Sequence, residues 1–232
     1  MTKIYCEQCG TEIIEPQKYC TVCGSKISRK MRDELKRRKE SPVIGIGLVI
    51  DKSGSMNGSE QEVMDSMNEF IQSQQKLPGQ AELTIVEFSD TSNVVILKND
   101  IHDIKAYRNY QTGGLTALND GIGMIISKMK DYDKAIVGII TDGYENNSKE
   151  WTTSKIKEQI ELYQEKGWKF KFLIQGLSET AAQHIVKSRG VKGPAMMFSG
   201  GQSGVKSVYK SMGSSATHYR SNNSTTYVDD EN

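Results

Sequence analysis

The chain has 232 residues, of which 36% are hydrophobic and 25% charged, and a formal net charge of +1. Its longest apolar-plus-glycine run, residues 43–50, is eight residues long, far short of the ~20 needed to span a bilayer, and MTKIYCEQCG at the start has no signal-peptide core. These features predict a cytoplasmic protein that has no membrane span and no global field drawing it to nucleic acid.

The four cysteines, Cys6, Cys9, Cys20 and Cys23, all lie in the first 23 residues, as CEQCG and CTVCG. Two thiolates three positions apart reach one ion when the turn between them exposes its amides, and Gly10 and Gly24 permit the positive φ of such a turn. Four thiolates favour tetrahedral Zn²⁺. About 25 residues cannot fold on apolar burial alone, so the metal would supply the folding free energy. Two disulfides are the alternative, but disulfides are rare in the cytosol. A redox CxxC would need a surrounding α/β domain. Residues 1–27 are thus expected to form a domain around structural zinc, and they resemble the short zinc ribbons at the ends of bacterial and phage proteins.

From Lys26 to Glu40 eight basic residues stand against three acidic ones, a net of +5. Residues 28–41 have helix-forming composition, with Asp33–Arg37 and Glu34–Arg38 as i,i+4 pairs. Met31 and Leu35 are their only apolar side chains, and Pro42 ends the segment. One reading is a solvated helical linker. The other is a basic patch that joins the ribbon in touching phosphates, without interleaved aromatics for base stacking.

From residue 42 onward the chain alternates. Val/Ile-rich runs at 43–51, 81–89, 93–98, 134–142, 168–176 and 195–200 predict strands. Helix-period segments at 61–75, 117–129, 152–165, 179–188 and 202–212 separate most of them. The short link 90–92 predicts an antiparallel hairpin. The rest implies an α/β fold, a doubly wound, Rossmann-like, mostly parallel sheet covered on both faces. Ligands bind such sheets beyond the carboxyl ends of the strands. There the first strand finishes on Asp51-Lys52-Ser53-Gly54-Ser55, the 134–142 strand ends at Asp142, and Gly113-Gly114-Leu115-Thr116 opens a helix.

Asp51, Ser53, Ser55, Thr116 and Asp142 are all hard oxygen donors, which suit Mg²⁺, Mn²⁺ or Ca²⁺ and not Zn²⁺. Five such donors fall short of the six or more oxygens these ions take, so a further position is open to a carboxylate from elsewhere. Asp51 has a plainer alternative as a turn cap. Asp120 is read as second-sphere or as a cap favoured by the helix dipole, and Lys52 as a solvated loop residue. His102, His184 and His218 are scattered, and Trp151 and Trp168 are read as ordinary packing.

With DKSGS, TALNDGI, IITDGYEN and a final YKSMGSSATHYRS helix, residues 42–220 resemble a von Willebrand factor A domain of the intracellular bacterial and phage type. The five oxygen residues match that family's metal-ion-dependent adhesion site. The resemblance implies that Ser53, Ser55 and Thr116 ligate directly, that Asp51 and Asp142 act largely through water, and that a partner's Asp or Glu completes the site. One departure, Leu115 before Thr116, stands to shift that loop. The polar tail 221–232 is expected to be disordered.

The function expected is a non-enzymatic, Mg²⁺-dependent protein-binding adaptor that captures an acidic residue of its partner. The alternative is a nucleic-acid-associated adaptor acting through the ribbon and basic segment. A Mg²⁺-dependent hydrolase using Asp51 and Asp142 is a third reading, weakened by the lack of a general base nearby.

Overall fold

The computed structural model describes residues 4–40, 42–142, 144–199 and 202–223. Its elements are α1 (Arg29–Glu40), β1 (Ile44–Asp51), α2 (Glu60–Gln75), β2 (Ala81–Phe88), β3 (Ser92–Asp100), α3 (Leu118–Met129), β4 (Lys134–Thr141), α4 (Thr153–Glu165), β5 (Lys169–Gln175), α5 (Glu179–Ser188), β6 (Met196–Phe198) and α6 (Gln202–Asn223). Six strands form one sheet in the order β3-β2-β1-β4-β5-β6, parallel except for the β2–β3 hairpin. The expected α/β, Rossmann-like sheet is therefore present, with the chain switching direction across the sheet at β1.

Because alternate side chains of a strand point to opposite faces, β1 feeds two cores. Ile44, Ile46, Leu48 and Ile50 enter the layer under α2 and α6. Val49 joins the layer under α3, α4 and α5. Gly45 and Gly47 occupy two further positions of that second face for a steric reason. A Cβ on Gly47 would lie 2.7 Å from Met129 Sδ, and one on Gly45 would lie 2.9 Å from Met129 and Tyr132. The missing side chains let α3 sit directly on the central strand.

The final helix runs further than its 202–212 periodicity suggests. Beyond Met212, Ala216, Tyr219 and Arg220 remain buried at helical spacing. Arg220 donates to the carbonyls of Gln74 (2.7 Å), Pro78 (3.1 Å) and Gly79 (3.2 Å), the C-terminal groups of α2 and the turn after it. Tyr219 donates to the Gly167 carbonyl at 2.9 Å. Residues 221–223, expected in the tail, are thus helical, while 224–232 lie outside the described residues.

The N-terminal segment folds as two copies of one unit. YCEQCGTEI and YCTVCGSKI are offset by 14 residues, and their backbones agree. Cys6 and Cys20 donate to the Thr11 and Ser25 carbonyls, both at 2.8 Å, and Gly10 and Gly24 donate to the Cys6 and Cys20 carbonyls, both at 2.9 Å. Tyr5 bridges Glu12 as Tyr19 bridges Lys26. The first core formed here is Cys6, Ile13, Cys20 and Ile27, and Leu35 of α1 closes it with Met31 against its side. The narrow apolar stripe of α1 is thus spent on this N-terminal core. An Arg29–Asp33 pair at 3.6 Å lies on its exposed side. The expected pairs of Asp33 with Arg37 and Glu34 with Arg38 involve side chains outside the described residues.

Candidate metal sites

In the ribbon, the four Sγ atoms lie within 4.8 Å of one another. Cys6 is 3.6 Å from Cys23 and Cys9 is 3.7 Å from Cys20. Four sulfurs at the Zn–S distance of about 2.3 Å in a tetrahedron are about 3.8 Å apart, so the spacing fits one zinc ion. All four cysteines are free, which sets aside the disulfide alternative. The Ser25 hydroxyl, 3.1 Å from Cys6 and 3.0 Å from Cys23, favours the thiolate at both. With the amides at Cys9 and Gln8 it holds Cys6 down at about 6, and it also lowers Cys23. Thiolates are the form that binds metal.

The second cluster stands at the carboxyl ends of β1 and β4. Fully buried Asp51 accepts the Ser53 amide on one oxygen (2.8 Å) and the Thr141 hydroxyl on the other (2.6 Å). Ser53 Oγ lies 3.1 Å from Ser55 Oγ, and Ser55 donates to Asp142 at 2.8 Å. Four of the five predicted residues thus form one continuous hydrogen-bonded chain across two strands.

Thr116 comes from a third loop. That loop is laced to the first by Gly54 N–H to the Gly114 carbonyl (3.0 Å) and Gly113 N–H to the Lys52 carbonyl (2.8 Å). Gly113 and Gly114 adopt φ of 151° and 84°, and at Gly114 a Cβ would strike the Asp90 carboxylate at 2.1 Å. Asn146 then clamps Thr116, its side chain accepting the Thr116 amide (2.9 Å) and its own amide donating to the Thr116 carbonyl (3.0 Å). Thr116 is itself buried. Leu115, the expected irregularity, has an exposed side chain and donates its amide to Asp90 at 3.0 Å.

Burial pushes the Asp51 carboxyl up to about 6, with Asp142 adding repulsion, and burial also raises Asp142. A pair of desolvated carboxylates bordered by hydroxyls is the donor set a hard divalent cation relieves, so the residues fit such an ion. Asp51 is at once the cap of its turn and a member of this cluster.

Several neighbours carry little signal in the linear sequence. Thr141 orients Asp51 from the adjacent strand, and its position directly before Asp142 was the one available cue. Buried Glu87 accepts the Tyr107 hydroxyl at 2.5 Å and pairs with Lys52 at 3.4 Å. Lys52 is therefore an ion-paired residue and not a solvated one. Tyr110 donates to the Asp51 carbonyl. Asp120 accepts the amides of Lys149, Glu150 and Trp151 at 2.8, 3.1 and 2.8 Å, which makes it the cap of the loop that enters α4. His102 bonds Asp100, and His184 and His218 are exposed. Trp168 is buried and Trp151 packs over Gly123, as expected.

Residues 46–145 match the family model described as the von Willebrand factor type A domain. The fold of the main domain is the von Willebrand factor A fold. Among solved structures, the vWF domain of the type V pili tip protein Mfa5 from Porphyromonas gingivalis superposes with a TM-score of 0.63 at 10% identity, over 82% of this chain and 99% of that one. The PilB minor pilin from Streptococcus sanguinis gives 0.55 at 12% identity, over 77% and 62%. Proximal thread matrix protein 1 from the mussel byssus, with a zinc-occupied MIDAS motif, gives 0.56 at 15% identity, over 76% and 46%. The chain thus spans about half the length of the mussel protein. No curated protein matches the sequence. At these identities the likeness shows the von Willebrand factor A fold alone. Among the described residues, no helix is long and apolar enough to cross a membrane.

Proposed function

We propose that the chain is a non-enzymatic, metal-dependent protein-binding adaptor. Its von Willebrand factor A domain would hold Mg²⁺, or Mn²⁺ or Ca²⁺ in its place, on Asp51, Ser53, Ser55, Thr116 and Asp142. A bound divalent cation would supply an open position for a partner's Asp or Glu carboxylate. The hydrogen-bonded chain from Thr141 through Asp51, Ser53 and Ser55 to Asp142 carries this reading. Its members orient one another before any ligand arrives, so little is lost in ordering them on binding. That the mussel protein has a metal in its MIDAS motif, and that other neighbours are pilins and pilus tips, supports a binding role. Structural zinc on Cys6, Cys9, Cys20 and Cys23 would hold residues 1–27 folded. Four unoxidised thiols suit a cytoplasmic setting.

The test is thermal denaturation with and without Mg²⁺, beside partner capture with and without chelator. Wild type is expected to gain stability with Mg²⁺ and Asp142→Ala to gain none. Equal capture in chelator would overturn the reading.

A second reading, contact with nucleic acid through the ribbon and residues 28–41, is favoured by one observation. Tyr5 and Tyr19 occupy equivalent positions in the two ribbon halves and are both half-exposed, which gives the basic segment the aromatic faces it lacks. Salt-dependent binding of single-stranded DNA that weakens in Tyr5→Ala and Tyr19→Ala supports it. Absence of binding at low salt removes it.

A further inference from the structure

At the far end of the sheet from the oxygen site, the last strand is short. β6 pairs only with Leu173, Ile174 and Gln175, which, among the described residues, leaves the first half of β5 with a free edge beneath the C-terminal half of α6. A cavity of about 600 Å³ opens there.

Its composition is uneven. Lys169 and Lys171 share a face with Leu173, the face that turns toward α6, where the pattern of the other strands puts apolar residues. Both lysines line the cavity together with His218, over an apolar floor that includes Ile136, Met196 and Tyr219. Among the described lining residues none is acidic. Lys171 is half-buried, and its ammonium has the Met196 thioether as its partner, at 3.8 Å. The Ser211 hydroxyl reaches the same sulfur at 3.5 Å. A thioether is a weak acceptor, and a part-buried ammonium ordinarily has an anionic or strongly hydrogen-bonding partner. Here a charged and a neutral donor converge on a group that satisfies neither.

We infer that this cavity is a binding site for a small amphipathic anion, a carboxylate or phosphate head on a short apolar chain. The head lies against Lys171, Lys169 and Ser211, and the chain lies on Ile136, Met196 and Tyr219. The site is independent of the metal reading, because Ile136 is near the amino end of β4 whereas Asp142 follows its carboxyl end.

The probe is octanoate, titrated into full-length protein without added divalent cation and followed by the ¹³C-methyl NMR signal of Met196. Acetate, 1-octanol and octyl phosphate serve as headgroup-only, tail-only and alternative-head arms. The Met196 signal is expected to move saturably with octanoate or octyl phosphate, whichever head is tighter naming the preferred anion. Acetate and octanol bind at least about tenfold more weakly, and Lys171→Met, which keeps the side chain's length, loses about tenfold. The Met212 methyl, buried beside Gly138, reports that each variant is folded. Where Lys171→Met disturbs that signal, Lys171→Gln takes its place. An unmoved Met196 signal with both anions overturns the proposal. So does octanol binding as tightly as octanoate, which marks an apolar crevice only, or wild-type affinity in folded Lys171→Met.

Discussion

Removing the ammonium of Lys52 and removing the carboxylate of Glu87 are not equivalent perturbations, although they break the same 3.4 Å pair. The Glu87 side chain is 5% exposed and that of Lys52 is 22% exposed. Lys52→Met leaves a buried carboxylate with the Tyr107 hydroxyl as its remaining hydrogen-bond donor, whereas Glu87→Gln leaves a lysine whose stem is long enough to reach water. Breaking a fully buried pair from one side costs about 3–5 kcal/mol. The retained Tyr107 bond and the part-exposed lysine reduce this to about 2–3 kcal/mol for Lys52→Met. Glu87→Gln keeps an acceptor for Tyr107 and should cost about 1 kcal/mol. The double variant should recover part of the loss, with a coupling of about 1–2 kcal/mol. Urea denaturation read by tryptophan fluorescence isolates the main domain, since Trp151 and Trp168 both belong to it. For a domain of this size the lysine variant should melt about 4–12 °C lower. Equal costs for the two single variants, or additive behaviour in the double, would refute the assignment of Lys52 as the counter-ion of a buried acid.

Arg220→Ala withdraws a buried guanidinium, held down at about 10 by burial, from the carbonyls that end α2. A loss of about 3 kcal/mol is expected by circular dichroism melting, with Arg220→Lys in between. Asp120→Ala, which frees three amides of residues 149–151, should cost about 2 kcal/mol in urea yet keep the Mg²⁺-dependent gain in melting temperature. Loss of that gain would mean that Asp120 serves the cation and not the loop. Elemental analysis should find stoichiometric zinc in wild type and little in Cys20→Ser, with the urea transition of the main domain unchanged in that variant.

Much of this was readable in linear form because parallel strands buried on both faces leave continuous apolar-plus-glycine runs rich in Val and Ile. β1 and β4 are of that kind, and Asp51 and Asp142 follow from where those runs stop. The end of α6 was not readable. After Met212 comes Gly213-Ser214-Ser215, a poor helical sequence, and what keeps it helical is Arg220 bonding to residues more than 140 positions away. Lys52 failed for the same reason, since its partner Glu87 is brought alongside only by the β1–β2 register, in which Ile50 stands beside Glu87. Leu35 and Met31 were visible as an apolar pair, but nothing in a stripe that narrow names the surface it covers. Thr141 and Asn146 act through isolated hydrogen bonds to residues distant in sequence, which have no periodicity to detect.

The 14-residue repeat of the ribbon has a consequence for how that module tolerates change. Each half closes its own turn with its own backbone bonds, and Cys6 meets Cys23 as Cys9 meets Cys20, so an ion bound there would be shared evenly between halves. The stretch between Ile13 and Lys18, whose carbonyl already accepts the Ile27 amide, is then a tether whose length matters little, because loop-closure entropy grows only logarithmically. Residues inserted there should leave metal content intact, while a single deletion inside either CxxC removes it. A natural lengthening of this module is therefore to be sought between the halves and not within them.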